Sequence, residues 1–192
     1  MYHGITGKRA KSELGMTMIE LLIAISVLFV GMAAMMILFT IAIATNGRSK
    51  TDTTGTMLAQ EVMEQISAAP ANTNPTITMT DCNPSGTTTW SIATTGSASP
   101  GSGASVVTST GSIDWTQAYS AVTANYKMQY VACGASGQQA TYDVRWNVMT
   151  VAANITKLIT VSARQIAAGA STGRNRAVLF ATPITLRTIT GL

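Results

Sequence analysis

Charged side chains and histidine are scarce in this sequence of 192 residues. Charged residues make up 10% of the chain, against roughly 25% in an average soluble domain. The single histidine, His3, lies so close to the N-terminus that trimming this end would leave no imidazole for metal binding or acid–base catalysis. The sequence also lacks a Gly-rich phosphate loop and an HExxH zinc motif. We therefore expect a protein that is not an enzyme and that needs no cofactor.

Basic residues are too few and too scattered to suggest a nucleic-acid partner. The 12 basic and 8 acidic residues give a net charge of +4, and the basic ones form no run interleaved with aromatic residues. Small polar residues take the place of the missing charges, and threonine alone occurs 30 times. Since β-branched threonine suits a half-exposed pleated surface, this composition favours short strands and turns.

An uncharged apolar run of 24 residues extends from Leu21 to Ala44. As a helix it would be about 36 Å long, enough to cross a hydrocarbon core of roughly 30 Å. A cleaved secretory signal has an apolar region of only about 7–15 residues. We therefore predict a membrane-spanning segment at residues 21–44, with the basic residues before it in the cytoplasm and the chain after it exported. A competing interpretation is signal-peptidase cleavage after Ala44, at the small-x-small pattern of residues 42–44.

Glu20 lies directly before this apolar run. A carboxylate at the edge of hydrocarbon is costly unless it is paired, which favours a functional role. The alternative is that Glu20 lies among the lipid headgroups, where the charge costs little. Its position alone leaves both interpretations open.

The residues around Glu20 resemble the leader and junction of type IV prepilins and type II secretion pseudopilins. A short basic leader, residues 1–15, ends at Gly15 and is followed by Met16-Thr17-Met18-Ile19-Glu20. The resemblance implies that a prepilin peptidase cuts between Gly15 and Met16, that Met16 becomes N-methylated, and that Glu20 takes part in assembly. The departure from the family pattern is Met16, where phenylalanine is usual.

The same resemblance implies a location and a set of partners. The chain would insert once into the bacterial inner membrane, with its N-terminus cytoplasmic, and then join an extracellular pilus or a periplasmic pseudopilus. Its partners would be the prepilin peptidase, the lipid bilayer before assembly, the inner-membrane assembly platform and other pilin subunits. The expected function is that of a minor pilin. The alternatives are a type II secretion pseudopilin, or a membrane-anchored or secreted binding module or adhesin that forms no filament.

Cleavage after Gly15 would give Glu20 a charge partner. The new α-amine at Met16 lies four residues before Glu20, and positions i and i+4 share a helix face. In a filament, the resemblance implies that Glu20 meets the Met16 amine of a neighbouring subunit. Opposite charges attract strongly in a low-dielectric core, so this pair would set the axial register between subunits.

The helix is predicted to continue beyond the membrane. Residues 57–69 have a helical period, and Pro70 ends it because proline disfavours helical geometry in the residue before it. We predict one helix from Thr17 to Ala69, within a helical region of residues 16–69. Residues 46–56 would be its weakest section, bending or melting locally, because they contain glycines and many threonines. A plain linker at residues 46–56 is the alternative.

Residues 70–192 are predicted to form a β-rich globular head, which makes the fold α+β and pilin-like, with a long N-terminal helix packed on an antiparallel sheet. The best strand alternates Tyr142, Val144, Trp146 and Val148 with polar residues, which predicts one buried and one exposed face. This Tyr-x-Val-x-Trp strand, followed by a second strand and a basic-tipped loop, also resembles minor pilins of the type IV pilus modification group. Strands are predicted at residues 76–80, 87–94, 105–108, 125–133, 141–151, 155–164, 176–182 and 184–189. Residues 95–112 are of low complexity and predict a surface loop with at most a short edge strand.

Cys82 and Cys133 are the two cysteines of the chain. Both follow the apolar run and would lie in an oxidising compartment, where one disulfide is expected. Two free thiols are the alternative.

Overall fold

A computed structural model describes residues 17–133, 140–152, 156–166 and 182–191. A long helix, α1, is followed by strands that form antiparallel sheets, which confirms the predicted α+β class. A boundary between two compact units lies between Asn46 and Gly47. The elements are α1 Met18–Ala68, β1 Ile77–Thr80, β2 Thr89–Ile92, β3 Ser102–Gly103, a 3-10 turn at Tyr119–Ala121, β4 Lys127–Val131, β5 Thr141–Ala152, β6 Thr156–Ile166 and β7 Ile184–Thr190.

Helix α1 agrees with the predicted helix to within one residue at each end. Residues 46–56 are helical, so the linker interpretation is wrong, while bending or melting there stays a prediction. Threonine hydroxyls in this section donate to the carbonyl oxygens four residues earlier, so their hydrogen bonds are made within the helix. These bonds join Thr51 to Gly47, Thr53 to Ser49, Thr54 to Lys50 and Thr56 to Asp52, at 2.8–3.1 Å.

Within the described residues the strands form a two-stranded and a five-stranded antiparallel sheet. Strands β1 and β2 pair with each other. In the larger sheet β5 pairs with β6 along nearly its whole length, and β6 pairs with β7. Strands β3 and β4 lie one after the other along the free edge of β5. The predicted strand at residues 176–182 lies outside the described residues except for Thr182, which is not in a strand.

The C-terminal part of α1 packs on one face of the five-stranded sheet. The buried helix residues are Gly55, Leu58, Ala59, Val62 and Ile66. Gly55 allows a close approach, because a β-carbon there would lie 3.4 Å from Ile184 Cδ1 and 3.6 Å from Tyr142 Cε1. Tyr142 also donates its hydroxyl to the Thr51 carbonyl oxygen at 3.2 Å. The inward face predicted for β5 is thereby confirmed.

The other face of β5 is also buried, which corrects the sequence prediction. Asp143, Arg145 and Asn147 are only 3%, 3% and 5% exposed. Residues 97–122, called the outer layer here, cover them: Asn147 Nδ2 donates to the Ala104 carbonyl oxygen at 2.9 Å, and Trp115 Nε1 donates to Ser162 Oγ at 3.2 Å. In β5, the alternation of apolar and polar residues therefore marks two buried faces, one packed on α1 and the other covered by the outer layer.

The low-complexity segment contains the two-residue strand β3, which agrees with the short edge strand that the sequence allowed, and it also contributes to the buried outer layer. The strand predicted at residues 105–108 is wrong, since the segment pairs with β5 through β3. Gly103 has φ of 109°, and a β-carbon there would lie 2.6 Å from Tyr126 Cδ1. Glycine is needed here because both the conformation and the close packing exclude a side chain.

Candidate functional site

The first turn of α1 holds the residue that the sequence singled out most strongly. Glu20 lies there, whereas Gly15 and Met16 fall outside the described residues. Thr17 precedes the helix, and its backbone N–H and hydroxyl both donate to Glu20 Oε2 at 3.2 Å. In return the backbone N–H of Glu20 faces Thr17 Oγ1 at 3.4 Å. Two residues thus satisfy each other's polar groups as a capping box.

This arrangement gives Glu20 a local role in addition to its charge. The carboxylate occupies the helix N-terminus, where the macrodipole favours negative charge. It accepts hydrogen bonds that would otherwise be missing at the first turn. The position of the charge does not indicate this second role. Its signal in the sequence is Thr17-x-x-Glu20 before an apolar run, which is the pattern of a capping box.

The helix after this turn is apolar on all sides. Exposure of its large apolar side chains between Met18 and Ile43 ranges from 45% at Ile25 to 89% at Met18. Hydroxyls within it are satisfied by the helix itself, as where Ser26 donates to the Leu22 carbonyl oxygen at 2.8 Å. The helix is long and apolar enough to cross a membrane, with a mean hydropathy of 2.8 in its most apolar window. A surface of this kind is stable in a bilayer or against other apolar helices.

Comparison with protein-family models, curated proteins and solved structures found no match. The possible role of the first turn is therefore inferred from the chemistry of its carboxylate. A carboxylate is held at the end of an apolar helix by hydrogen bonds of 3.2 Å to a single residue. Such a carboxylate can exchange these bonds for an ion pair with a nearby cation.

Cys82 and Cys133 form the predicted disulfide, with their Cα atoms 5.1 Å apart. The bond joins the segment after β1 to the segment after β4, and Cys82 also donates its backbone N–H to the Val131 carbonyl oxygen at 3.0 Å. It closes a loop across 51 positions of the sequence. In the chain-entropy description, closing a long loop stabilises the fold by restricting the unfolded chain.

A second cluster of polar groups, missed by the sequence analysis, lies between the sheet and the outer layer. Arg145 forms an ion pair with Asp143, with Nη2 at 2.7 Å from Oδ2 and Nε at 3.0 Å from Oδ1. Its Nη1 donates to the Gln117 carbonyl oxygen at 2.6 Å. Every nitrogen of the buried guanidinium therefore has an acceptor, which the burial of a charge requires.

Three cationic side chains of the sheet lie over two aromatic rings of the outer layer. The guanidinium carbons of Arg145 and Arg164 lie 4.6 and 4.3 Å from the ring centroid of Trp115. The ammonium of Lys127 lies 4.6 Å from the ring centroid of Tyr119. These distances are in the range of cation–π attraction, so the contacts attach the outer layer to the strands.

Tyr119 provides a titration test of this packing. Burial, and secondarily the charge of Asp143, raise the pKa of its phenol from 10.0 to about 12, against the opposing effect of Arg145. Because the folded pKa lies above the unfolded one, its contribution to stability is complete below pH 10 and is lost as the pH rises through about 12.

We expect an ultraviolet titration of the native chain to show phenolate formation near pH 12 that the Tyr119→Phe variant lacks. Burial also raises the pKa values of Tyr126, Tyr130 and Tyr142, so the difference between the two titrations is the quantity to measure. A difference centred near the ordinary pKa of 10.0 would contradict the described packing of Tyr119.

Lys157 joins three segments of the head through one buried ammonium. It is 6% exposed, and its Nζ donates to the carbonyl oxygens of Thr73 and Thr94 and to Asn74 Oδ1 at 3.0–3.1 Å. Burial lowers the pKa of this lysine. The hydrogen bonds connect β6 to the chain after α1 and to the chain after β2, which indicates a structural role.

Proposed function

We propose that this chain is a minor pilin, a structural subunit that is processed by a prepilin peptidase and assembles into a type IV pilus-like filament. The observation that carries the proposal is the first turn of α1. There Glu20 is held by Thr17 at the start of an apolar helix, and it is the fifth residue after the proposed cleavage point. The head formed by the sheets would be exported.

The capping box supports two successive roles for Glu20, first as a helix cap and then as an ion-pair partner. In the unassembled subunit its carboxylate is stabilised by its own helix end, so the charge has partners while the helix is in the bilayer. In the filament the carboxylate would turn to the Met16 amine of a neighbouring subunit. Because an unpaired charge among apolar helices is heavily penalised, only the register that pairs the charges would be stable.

The N-terminus of the exported protein tests the proposed processing. We expect mass spectrometry of the membrane-extracted chain to find a protein that starts at N-methylated Met16. The Glu20→Ala variant should give the same N-terminus, since the carboxylate is proposed to act in assembly and not in cleavage. A start at Thr45 would favour a secreted binding module, and an uncut Met1 would favour a membrane-anchored one; either result would contradict the proposal.

The same chemistry would serve a type II secretion pseudopilin, which remains the alternative within this class. The two are distinguished by where the assembled subunit is recovered. Recovery in filaments sheared from the cell surface supports a pilus. Recovery only in the periplasmic fraction supports a pseudopilus.

A further inference from the structure

The outer layer and the sheet enclose a half-open cavity of about 280 Å³. It lies on the face of the sheet opposite α1, between the low-complexity segment and strands β5, β6 and β7. The volume is just below the range of roughly 300–1,000 Å³ found for drug-sized ligands, so it suits a molecule about the size of a single ring.

Two glycines with positive φ shape this cavity. Gly101 has φ of 93° and Gly111 has φ of 69°. A β-carbon on Gly101 would collide with the Asn147 amide, and one on Gly111 would collide with the Arg187 guanidinium. The loop backbone can therefore approach two polar side chains only because these positions are glycine.

Arg187 brings a positive charge to the rim. It is exposed on β7, and no described residue offers it a carboxylate within ion-pair distance or a side-chain hydrogen bond. In contrast, Arg145 on the same face of the sheet has acceptors on both Asp143 and Gln117. The five N–H groups of a guanidinium match a carboxylate well, since two of them can bind it side by side.

The rest of the wall is divided between hydroxyls and apolar side chains. Thr108, Ser109 and Thr110 line the cavity. The hydroxyl of Thr110 is bonded to Ser112 Oγ at 2.6 Å, so Thr108 and Ser109 are the residues whose hydroxyls can donate to and accept from a ligand. Met149 and Leu158 contribute an apolar surface. Asn147 is fixed by donating its Nδ2 to the carbonyl oxygens of Ala104 and Pro100, at 2.9 and 3.3 Å.

We propose that this cavity binds a carboxylated sugar residue. The carboxylate would lie on Arg187, the ring hydroxyls would bond to the threonine and serine hydroxyls, and a C–H face of the ring would cover Met149 and Leu158. A small inorganic anion would leave the apolar wall uncovered, and a neutral sugar would leave the guanidinium without a partner. The inference does not depend on filament assembly, so each can fail without the other.

The test uses the full chain in detergent micelles, with galacturonic acid as the probe and galactose and acetate as comparisons. We expect saturable binding of galacturonic acid by titration calorimetry or ligand-observed NMR, at least about 10-fold tighter than that of either comparison. Arg187→Gln should weaken it by about 10-fold or more. Lys50→Gln is the control, because it removes a positive charge from an exposed residue of α1 outside the described lining, and it should leave the affinity unchanged.

Three results would overturn the proposal. They are no saturable binding of galacturonic acid by the native chain, binding of acetate or galactose as tight as that of galacturonic acid, and an equal loss in the Lys50→Gln and Arg187→Gln variants. If Arg187→Gln does not fold, Thr108→Val decides the question, because it removes one lining hydroxyl at nearly constant volume. Weaker binding of galacturonic acid by this second variant supports the site, and unchanged binding contradicts it.

Discussion

The Glu20→Gln variant should be cleaved normally and yet enter filaments at least about 10-fold less than the native chain. Glutamine can replace glutamate in a capping box, so this change preserves the hydrogen bonds with Thr17 while removing the charge. The Met16 amine of a neighbouring subunit would then be buried without its counter-charge. The measurement compares the amount of subunit in sheared filaments with the amount of processed subunit in the membrane.

Thr17→Val is the matched control for this experiment. It removes the hydroxyl that bonds to Glu20 but leaves the carboxylate and its charge. We expect incorporation close to that of the native chain. If Glu20→Gln assembles normally while Glu20→Ala does not, the residue acts as a helix cap and the proposed ion pair is wrong.

The Asp143→Asn variant should lower the free energy of unfolding by about 3–5 kcal/mol, because it leaves a buried guanidinium without its counter-charge. Asp143 and Arg145 are each about 3% exposed, and the carboxylate accepts from both Nε and Nη2 of the arginine. The cation–π contact with Trp115 remains and offsets only part of the loss. Urea unfolding of the full chain in detergent, followed by tryptophan fluorescence, measures the change.

Two further variants test the cause of this loss. Asp114→Asn removes another acid near Arg145, one that is only partly buried and accepts hydrogen bonds from Thr116, and it should change stability far less. Replacing the pair together, as Asp143→Leu with Arg145→Met, should be milder than Asp143→Asn, since no charge is left buried. A loss below about 1 kcal/mol in Asp143→Asn would contradict a buried pair that depends on mutual compensation.

The elements of this fold that follow from local patterns could be predicted from the sequence. A run of apolar residues and the position of Pro70 define α1, and the alternation around Trp146 defines β5. The disulfide could be predicted because the two cysteines both follow the apolar run and would lie in an oxidising compartment. The capping box is also local, and the pattern Thr17-x-x-Glu20 is its signal in the sequence.

The outer layer could not be predicted in this way. Its segment is rich in serine, glycine and threonine, which locally favours a solvated loop. Its position depends on distant partners, such as the hydrogen bond from Asn147 to Ala104, 43 positions earlier. Opposite charges two residues apart on one strand, as at Asp143 and Arg145, were the available sign that this face could be buried.

The sequence by itself determined the long helix, its apolar first part, the carboxylate at its start and the strand period of the head, because hydrophobic periodicity and end signals act over a few residues. Only the tertiary structure decided that β5 is covered on both faces, that Asp143 neutralises a buried arginine, and that Arg187 stands at a cavity. These features arise where segments far apart in the chain exclude water together, and no local pattern contains that information.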